Sequence, residues 1–391
     1  MVRKLWPLVL SAVALGINSY VIAGILPDIA DALDVSQGSV GLGVTTFTAA
    51  YALTAPWLPG VLTRTGTSRR ALLIALAVFT TGSAITVVSP SLWVFLASRA
   101  FAGAGAGTLT ALATGAAGVM VPDRRGRAMA MVTFGLSLGT VAGVPVGMLI
   151  AGRIGWRATM GLIVALAVIG LVAIAARGKT IPALPTARTV AASPERGHGA
   201  MPLLVGGVVL AFLLGIASLG LYTYLLPIAT SAGHAGLGFA LVWAWGIGGV
   251  AGSWGTGRLL DKTAGRRLLV ISPVLLTAAF LLLAFTDVSG FWLVAAVIWG
   301  AAGWASVAIG QAAFTAVRPE RSVQIVAWLM AAMYIGSATG SAIGTVLLSA
   351  GTSAAALPTW ALTASVSAAV IALVLAGLLR RRSMVESRPL S

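Results

Sequence analysis

The sequence predicts an all-α integral membrane protein with twelve transmembrane helices in two pseudo-symmetric six-helix bundles. Hydrophobic residues make up 59% of the chain and charged residues only 9%, whereas a soluble domain carries about 25% charged residues. The charges lie in short clusters between apolar runs of roughly 20 residues, the length of a helix that spans a bilayer. Because lipid offers the backbone no hydrogen-bond partner, we expect every run to be helical.

A repeat with an offset of 197 residues divides the chain into two copies of one half. The basic loop that begins at Gly60 returns at Gly257, and Pro122-Asp-Arg returns as Pro319-Glu-Arg. One offset that fits separate motifs indicates an internal duplication. The glycines that follow these loops repeat in the same way: Gly139, Gly143 and Gly147 return as Gly336, Gly340 and Gly344.

The repeat and the apolar runs set the predicted domains and spans. We predict an N-terminal six-helix bundle over 1–176, a cytoplasmic linker over 177–200, a C-terminal six-helix bundle over 201–379 and a cytoplasmic tail over 380–391. The linker is the one long polar stretch and contains several prolines. In the first half, the spans cover about 8–26, 40–58, a run ending near 88, 93–120, 128–150 and a run ending before 177; six more follow from 203 to 379.

The positions of the positive charges predict the topology. The net charge is +16, but nearly every Lys and Arg falls in a loop expected inside, and the outer loops hold only Arg153 and Arg157. This positive-inside pattern places both termini in the cytoplasm and the protein in the cytoplasmic membrane. We therefore interpret the excess charge as a topology signal rather than as a nucleic-acid surface.

Several kinds of chemistry are not expected. The chain has no cysteine, which excludes disulfides and thiol chemistry. The sequence shows neither a metal-binding histidine cluster nor a phosphate-cradling Gly-Lys-Ser loop. We therefore expect no enzyme activity, no metal, no cofactor and no ATP-driven pumping by this chain alone.

Small residues recur along span 5 on one helix face. Glycines four apart let a neighbouring backbone approach closely, and a proline in the same helix removes a hydrogen-bond donor and bends it. The repeat of this face in span 11 favours a matched pair of sliding interfaces between the halves, with plain helix packing as the alternative. The motif comprises Gly135, Gly139, Gly143, Pro145 and Gly147, with Gly336, Gly340 and Gly344 in the second copy.

Four stretches then carry a family resemblance over nearly the whole chain. They are Gly24-Ile-Leu-Pro27, Arg99-Ala-Phe-Ala-Gly103-Ala-Gly105, Gly143-Val-Pro145-Val-Gly147 and Tyr222-Thr-Tyr224-Leu-Leu-Pro227. In this order they resemble the major facilitator superfamily, and within it the twelve-span drug:proton antiporter branch and its sugar- and drug-efflux members. The resemblance implies an efflux transporter of the multidrug-resistance type, mostly monomeric, whose two bundles rock about a midplane cavity.

The candidate gating and coupling residues include one cation inside a span. Arg99 lies in span 4, where a buried charge usually faces a cavity or a partner; snorkelling at the span end is the alternative. The family's basic loop carries an Asp, which this chain has at Asp261 but replaces by Arg64 in the first copy, so a charge latch is expected in the second half. The set is Arg99, Asp261, Arg266, Arg69, Asp28 and Asp31.

Proton coupling rests on the resemblance alone. Relatives often carry an acid in span 1 where this chain has Ser19, and all nine Asp and Glu fall in loops or at span ends. Both histidines also lie outside the predicted spans, so the usual proton-relay groups are missing there. Asp28 and Asp31 at the mouth of span 1 are the nearest substitutes, with solvated loop acids as the alternative.

Polar and aromatic side chains within the spans mark the expected substrate surroundings. An uncharged, aromatic-rich cavity suits a neutral or weakly polar small molecule, such as a drug-like compound, a sugar or a nucleoside relative. Lipid-facing packing is the alternative for each Trp. An uncoupled facilitator or importer is the second functional reading, and a non-transporting receptor or sensor a remote third. The candidates are Asn18, Ser19, Tyr20, Thr46, Tyr51, Tyr222, Tyr224, Trp243, Trp299, Gln311, Trp328 and Tyr334, beside Trp245 and Trp304.

Overall fold

A computed structural model describes residues 1–35, 37–65, 67–177, 181, 200–262 and 265–386. Most of the predicted linker and the end of the predicted tail therefore lie outside the described residues. Within the described ranges the regular structure is helical throughout, which confirms the all-α prediction.

Eight α-helices and one short 3-10 helix, Pro122–Arg124, lie in the described residues of the first half. Several begin or end at prolines and glycines, as Pro122 and Gly155 show at the two ends of one long helix. The helices are α1 Val2–Gly24, α2 Leu26–Leu33, α3 Gln37–Thr54, α4 Leu58–Thr65, α5 Ser68–Val87, α6 Leu92–Met120, α7 Arg125–Ile154 and α8 Trp156–Ala176.

The second half holds seven α-helices and one π-helical segment. The π segment, Gly215–Gly220, continues directly from the first of these helices. The helices are α9 Ala200–Leu214, α10 Leu225–Ser231, α11 Gly238–Lys262, α12 Gly265–Phe285, α13 Ser289–Val317, α14 Ser322–Ser349 and α15 Leu357–Glu386.

Among the described residues, ten helices are long and apolar enough to cross a membrane, or eleven if α7 is one bent span. The bend in α7 is 42° between Gly143 and Pro145, where the proline ring clashes with the preceding turn. The predicted second span corresponds to α3, which is not among these helices, and the chain continues from it through a turn into α4.

The chain divides into two compact units: Met1–Ser193 with Glu320–Ala331, and Pro194–Pro319 with Ala332–Ser391. Helix neighbours repeat between them. In the first unit α3 and α5 pack on α6, and α1 and α5 pack on α8; in the second, α11 and α12 pack on α13, and α9 and α12 pack on α15. The duplication seen in the sequence therefore corresponds to equivalent packing inside each unit. The predicted boundaries between bundles, linker and tail stay a prediction.

The glycine face of span 5 lies against α1 of the same unit. A Cβ at Gly139 would lie 2.2 Å from the carbonyl oxygen of Val13, and one at Gly143 would lie 2.2 Å from Cγ1 of Ile17. These positions therefore let α7 approach the α1 backbone closely. A Cβ at Gly135 would likewise meet α1, at the carbonyl oxygen of Val9, 2.6 Å away.

The second copy of this face shows the same geometry. A Cβ at Gly336 would lie 2.1 Å from the carbonyl oxygen of Phe212, and one at Gly340 would lie 2.6 Å from that of Ile216. Each face therefore packs against the first helix of its own half, as the alternative of plain helix packing predicts. A sliding interface between the halves stays a prediction.

Candidate functional site

The first unit encloses a fully buried cation. Arg99 has no exposed surface and lies two turns into α6, so it does not snorkel from the helix end. Its Nη1 donates to Oδ1 of Asn18, and its Nη2 donates to the Asn18 carbonyl oxygen at 3.1 Å. Both acceptors are uncharged and belong to α1.

A directed chain of hydrogen bonds orients Asn18. Its Nδ2 donates to Oγ of Ser83 at 2.7 Å, and the Ser83 hydroxyl donates in turn to the carbonyl oxygen of Phe79 at 2.8 Å. With the amide nitrogen held by α5, the amide oxygen is left for Arg99. The arrangement links α1, α5 and α6 through side chains that are all fully buried.

Helix α3 completes the surroundings of the guanidinium. Nε of Arg99 donates to the Gly43 carbonyl oxygen at 3.4 Å, and its Cζ lies 4.5 Å above the centroid of the Phe47 ring. An arginine at the centre of a bilayer costs about 2.5–3.5 kcal/mol on insertion scales. Carbonyl and amide oxygens together with an aromatic face offset part of that cost.

Two other first-half candidates adjoin this site, since Thr46 shares the Gly43 acceptor with Arg99 and Tyr51 lies beside Phe47. The hydroxyls of Ser19 and Thr46 donate to carbonyl oxygens of their own helices, at 2.8 Å and 3.3 Å. Tyr51 is buried beside Phe47, with ring centroids 6.5 Å apart, and Tyr20 is half-buried. Their assignment to substrate binding stays a prediction.

The acids with described side chains lie away from the interior. Six are exposed, and Glu320 is half-buried in the turn before α14. Asp28 and Asp31 belong to the short helix α2 and are among the exposed ones. The exposed acids are Asp28, Asp31, Asp34, Asp123, Asp261 and Asp287.

The predicted loop cations cap helix ends. Nη2 of Arg69 donates to the carbonyl oxygen of Ala175 at the end of α8, where a positive charge is favoured. The side chain of Arg266 lies outside what the structure describes, so the latch predicted with Asp261 stays a prediction.

Trp328 belongs to the first unit and packs edge-on against Trp57, with ring centroids 5.4 Å apart.

The second unit contains a buried aromatic cluster, which we define as Tyr222, Trp245, Phe280, Trp299 and Trp304. Tyr222 stacks on Trp245 with centroids 4.0 Å apart and meets Trp299 edge-on at 6.4 Å. Phe280 lies 5.2 Å from Trp299, and Trp304 lies 6.4 Å from Trp245. The structure thus brings together four of the predicted aromatic residues: Tyr222, Trp245, Trp299 and Trp304.

Other second-half candidates lie elsewhere in this unit. The Tyr224 hydroxyl bonds to Ser341 and, at 2.8 Å, to Thr345, and its ring fills the space above Gly344. Trp243 packs against Phe239 rather than in the aromatic cluster. Two further candidates, Gln311 and Tyr334, are buried.

Some residues of these two sites were not predicted. Ser83 and Phe47 look like ordinary helix residues in the sequence, and only the fold places them beside Asn18 and Arg99. Ser218 accepts a hydrogen bond from Nε1 of Trp299 at 3.1 Å. It lies in the π segment, for which the sequence carries no periodicity signal.

The chain is a duplicated, all-helical membrane protein with a buried cation and an aromatic cluster. These features are typical of a solute transporter rather than of an enzyme. The chain belongs to the Major Facilitator Superfamily, whose family model matches residues 8–322. It is 33% identical over 357 residues to a chloramphenicol resistance protein of Streptomyces lividans, with 88% of each chain covered. It is 30% identical over 284 residues to a probable sugar efflux transporter of Helicobacter pylori strain G27, covering 69% of this chain and 70% of that one.

Solved structures of the family share the fold. The proton:xylose symporter XylE matches with a TM-score of 0.74 at 15% identity, over 97% of this chain and 94% of that one. The human organic anion transporter MFSD10 matches with a TM-score of 0.73 at 16% identity, over 96% and 99%. These likenesses confirm the predicted fold class, twelve transmembrane helices in two six-helix bundles.

Proposed function

We propose that this transporter exports small, largely uncharged organic compounds from the cytoplasm across the plasma membrane by alternating access. The observation that carries the proposal is the similarity, over 88% of both chains, to a chloramphenicol resistance protein. Similarity to a probable sugar efflux transporter supports the same direction of transport. Chloramphenicol is an uncharged aromatic amide, and it is our first candidate substrate.

The buried side chains support an uncharged substrate. The aromatic cluster offers ring faces and indole N–H groups, which suit a flat molecule with hydrogen-bond acceptors. Strong binding of a cation would call for a carboxylate, and the acids with described side chains are exposed or, for Glu320, half-buried. We further propose that the protein acts as a monomer.

A second candidate is an uncoupled facilitator of the same compounds. The position of the acids favours it, because a proton antiporter usually moves its proton through a carboxylate or a histidine within the membrane. Proton-coupled export is still our first candidate because the sequence motifs resemble those of the drug:proton antiporter branch. The two candidates differ in one measurable property, the response to a proton gradient.

Uptake into cells lacking their own exporters tests export. Cells that produce the protein should accumulate less labelled chloramphenicol than cells with the empty vector and should survive higher concentrations of it. The proposal would be contradicted if both kinds of cell accumulated chloramphenicol equally and also accumulated each of a panel of neutral sugars equally. In proteoliposomes, an imposed pH gradient should drive substrate against its concentration if transport is coupled, whereas a facilitator would only equalise the two sides.

A further inference from the structure

The second unit contains a partly open cavity beside the aromatic cluster. Its empty space is about 320 Å³, including the part that opens outward. The side chains that line it are uncharged, so it offers no compensation to an ionic group. Its lining includes Ser218, Trp245, Gly303, Trp304 and Ser306.

Two indole N–H groups at this cavity lack a hydrogen-bond acceptor. Trp245 and Trp304 are 2% and 4% exposed, and Nε1 of each is buried without a partner. The neighbouring Trp299 shows the contrast, because its Nε1 donates to Ser218 at 3.1 Å. Buried donors are nearly always paired in proteins, so two unpaired ones at a single cavity call for an explanation.

The backbone at the cavity is also unusual. Ser218 lies in the π segment Gly215–Gly220, and single π turns inside α-helices often occur at functional sites. The segment packs tightly, since a Cβ at Gly215 would lie 2.2 Å from the carbonyl oxygen of Met333. The wider turn is therefore held in place at the point where its serine reaches the cavity.

We propose that this cavity is a subsite for an uncharged hydrogen-bond acceptor of the substrate, such as a carbonyl or hydroxyl oxygen, with Trp245 and Trp304 as the donors. The inference rests on the proposed function and names the chemical class that the site selects. Tyr222, stacked on Trp245, supplies a ring face for an aryl group next to the acceptor. Because the cavity is partly open, the acceptor group of a compound would enter it and the rest would lie outside.

The indole N–H resonances of the purified full-length protein provide a direct test. Tryptophan labelled with nitrogen-15 at Nε1 is incorporated, and Trp245→Phe and Trp304→Phe assign the two signals while keeping an aromatic ring. The probe is N,N-dimethylbenzamide, whose carbonyl is its only strong acceptor. Isopropylbenzene is the matched compound without an acceptor, and benzamidinium is the cationic counterpart.

We expect the amide to shift both assigned resonances and isopropylbenzene to leave them in place. The signal of Trp292, whose Nε1 already donates to the Thr286 carbonyl oxygen at 2.8 Å, should not move. Each Trp→Phe change should weaken amide binding by about two- to tenfold, the worth of one hydrogen bond, and leave hydrocarbon binding unchanged. Trp360→Phe, at a residue with 52% of its surface exposed, is the control.

Three results would overturn the inference: resonances that ignore the amide, resonances that respond equally to isopropylbenzene, or tighter binding of benzamidinium than of the amide. If the wild-type protein exports neutral compounds but shows any of these, the proposed function stands and the subsite is wrong. If the resonances shift as expected but no neutral compound is exported, the subsite stands and the proposed function is wrong.

Discussion

Arg99 is a buried cation whose hydrogen-bond acceptors are all uncharged oxygens. Two of these acceptors belong to Asn18, and Ser83 fixes the orientation of its amide. The positive charge is therefore stabilised by oriented, uncharged oxygens rather than by an opposite charge. Such an arrangement is sensitive to the loss of one acceptor, because the guanidinium has no water to replace it.

Replacing Asn18 by Leu should destabilise the protein by about 2–3 kcal/mol, the range for hydrogen bonds to charged groups. The change keeps the side-chain size but removes the acceptor of Nη1 and the donor to Ser83. Asn18→Asp should retain stability, since a carboxylate forms a stronger, charge-assisted bond with the guanidinium. Thermal unfolding of the purified protein in detergent measures both variants.

Ser19→Ala is the matched control for Asn18. Ser19 is the next residue, is also buried, and donates only within its own helix, to the Leu15 carbonyl oxygen at 2.8 Å. We expect its melting temperature to stay near that of the wild type. If Asn18→Leu were as stable as Ser19→Ala, the cation would not depend on the acceptor that we assign to it.

The sequence predicts the presence of these residues better than their pairing. An arginine and an amide within apolar spans each need a polar partner, so the sequence could predict that Arg99 and Asn18 each form such contacts. Their pairing depends on the way α1 crosses α6, which an 81-residue separation does not reveal. The structure bonds Asn18 to Arg99 and Ser83, and its predicted contact with the substrate stays a prediction.

The element that most depends on close packing is α7. Its glycines meet two different obstacles on α1: the backbone carbonyl of Val13 at Gly139, and the side chain of Ile17 at Gly143. Backbone atoms of a packed helix cannot move aside without shifting the helix, whereas a side chain can be shortened by mutation. The two positions should therefore respond differently to the same substitution.

We expect Gly139→Ala to destabilise the protein by about 1–3 kcal/mol, the usual cost of overpacking, and Val13→Ala not to rescue it. Gly143→Ala should also destabilise the wild-type protein. In the Ile17→Ala variant the same change should add little destabilisation, because the obstructing Cγ1 is gone. The two changes at 17 and 143 should thus be strongly non-additive. Unfolding free energies of the single and double variants give the coupling directly.

Gly152→Ala is the control on the same helix. A Cβ at Gly152 meets nothing within 4 Å, so this change should be neutral or stabilising by about 0.5–1 kcal/mol through helix propensity. If all three glycines tolerated Ala alike, the close approach of α7 to α1 would be wrong. Equal rescue at 139 and 143 would also contradict the distinction between backbone and side-chain obstacles.

The small-residue face was predictable at this scale, but its partner was not. Glycines spaced by four indicate a surface for close approach, and the repeat shows that both halves have one. The spacing carries no information on which helix approaches. The π segment was equally hidden, since the residues from 215 to 220 are as apolar and as small as those of an ordinary span.

At the scale of the molecule, duplication preserved the packing and changed the interior chemistry. The repeat offset pairs Asn18 with Gly215 and Arg99 with Ala296, so the second unit lacks the residues of the buried cation site at those positions. In its place the second unit has the π segment and the aromatic cluster. We infer that the first half contributes a buried charged side chain that joins several helices, and that the second half contributes aromatic contacts for the substrate.

The topology prediction belongs to the whole chain and depends on the uneven distribution of its arginines. Because the chain has no cysteine, each introduced cysteine is a unique label site. Ser91→Cys lies in the predicted outer turn before α6, and Arg381→Cys lies in the predicted tail, near the end of α15; both positions are exposed. In intact cells, a membrane-impermeant maleimide should label the first variant and not the second.

Permeabilised cells supply the control, since both cysteines should then react equally. Labelling of Arg381→Cys in intact cells would place the tail outside and contradict the predicted orientation. That outcome would also contradict the positive-inside prediction, because the clusters of Arg and Lys expected in the cytoplasm would then face the outer surface.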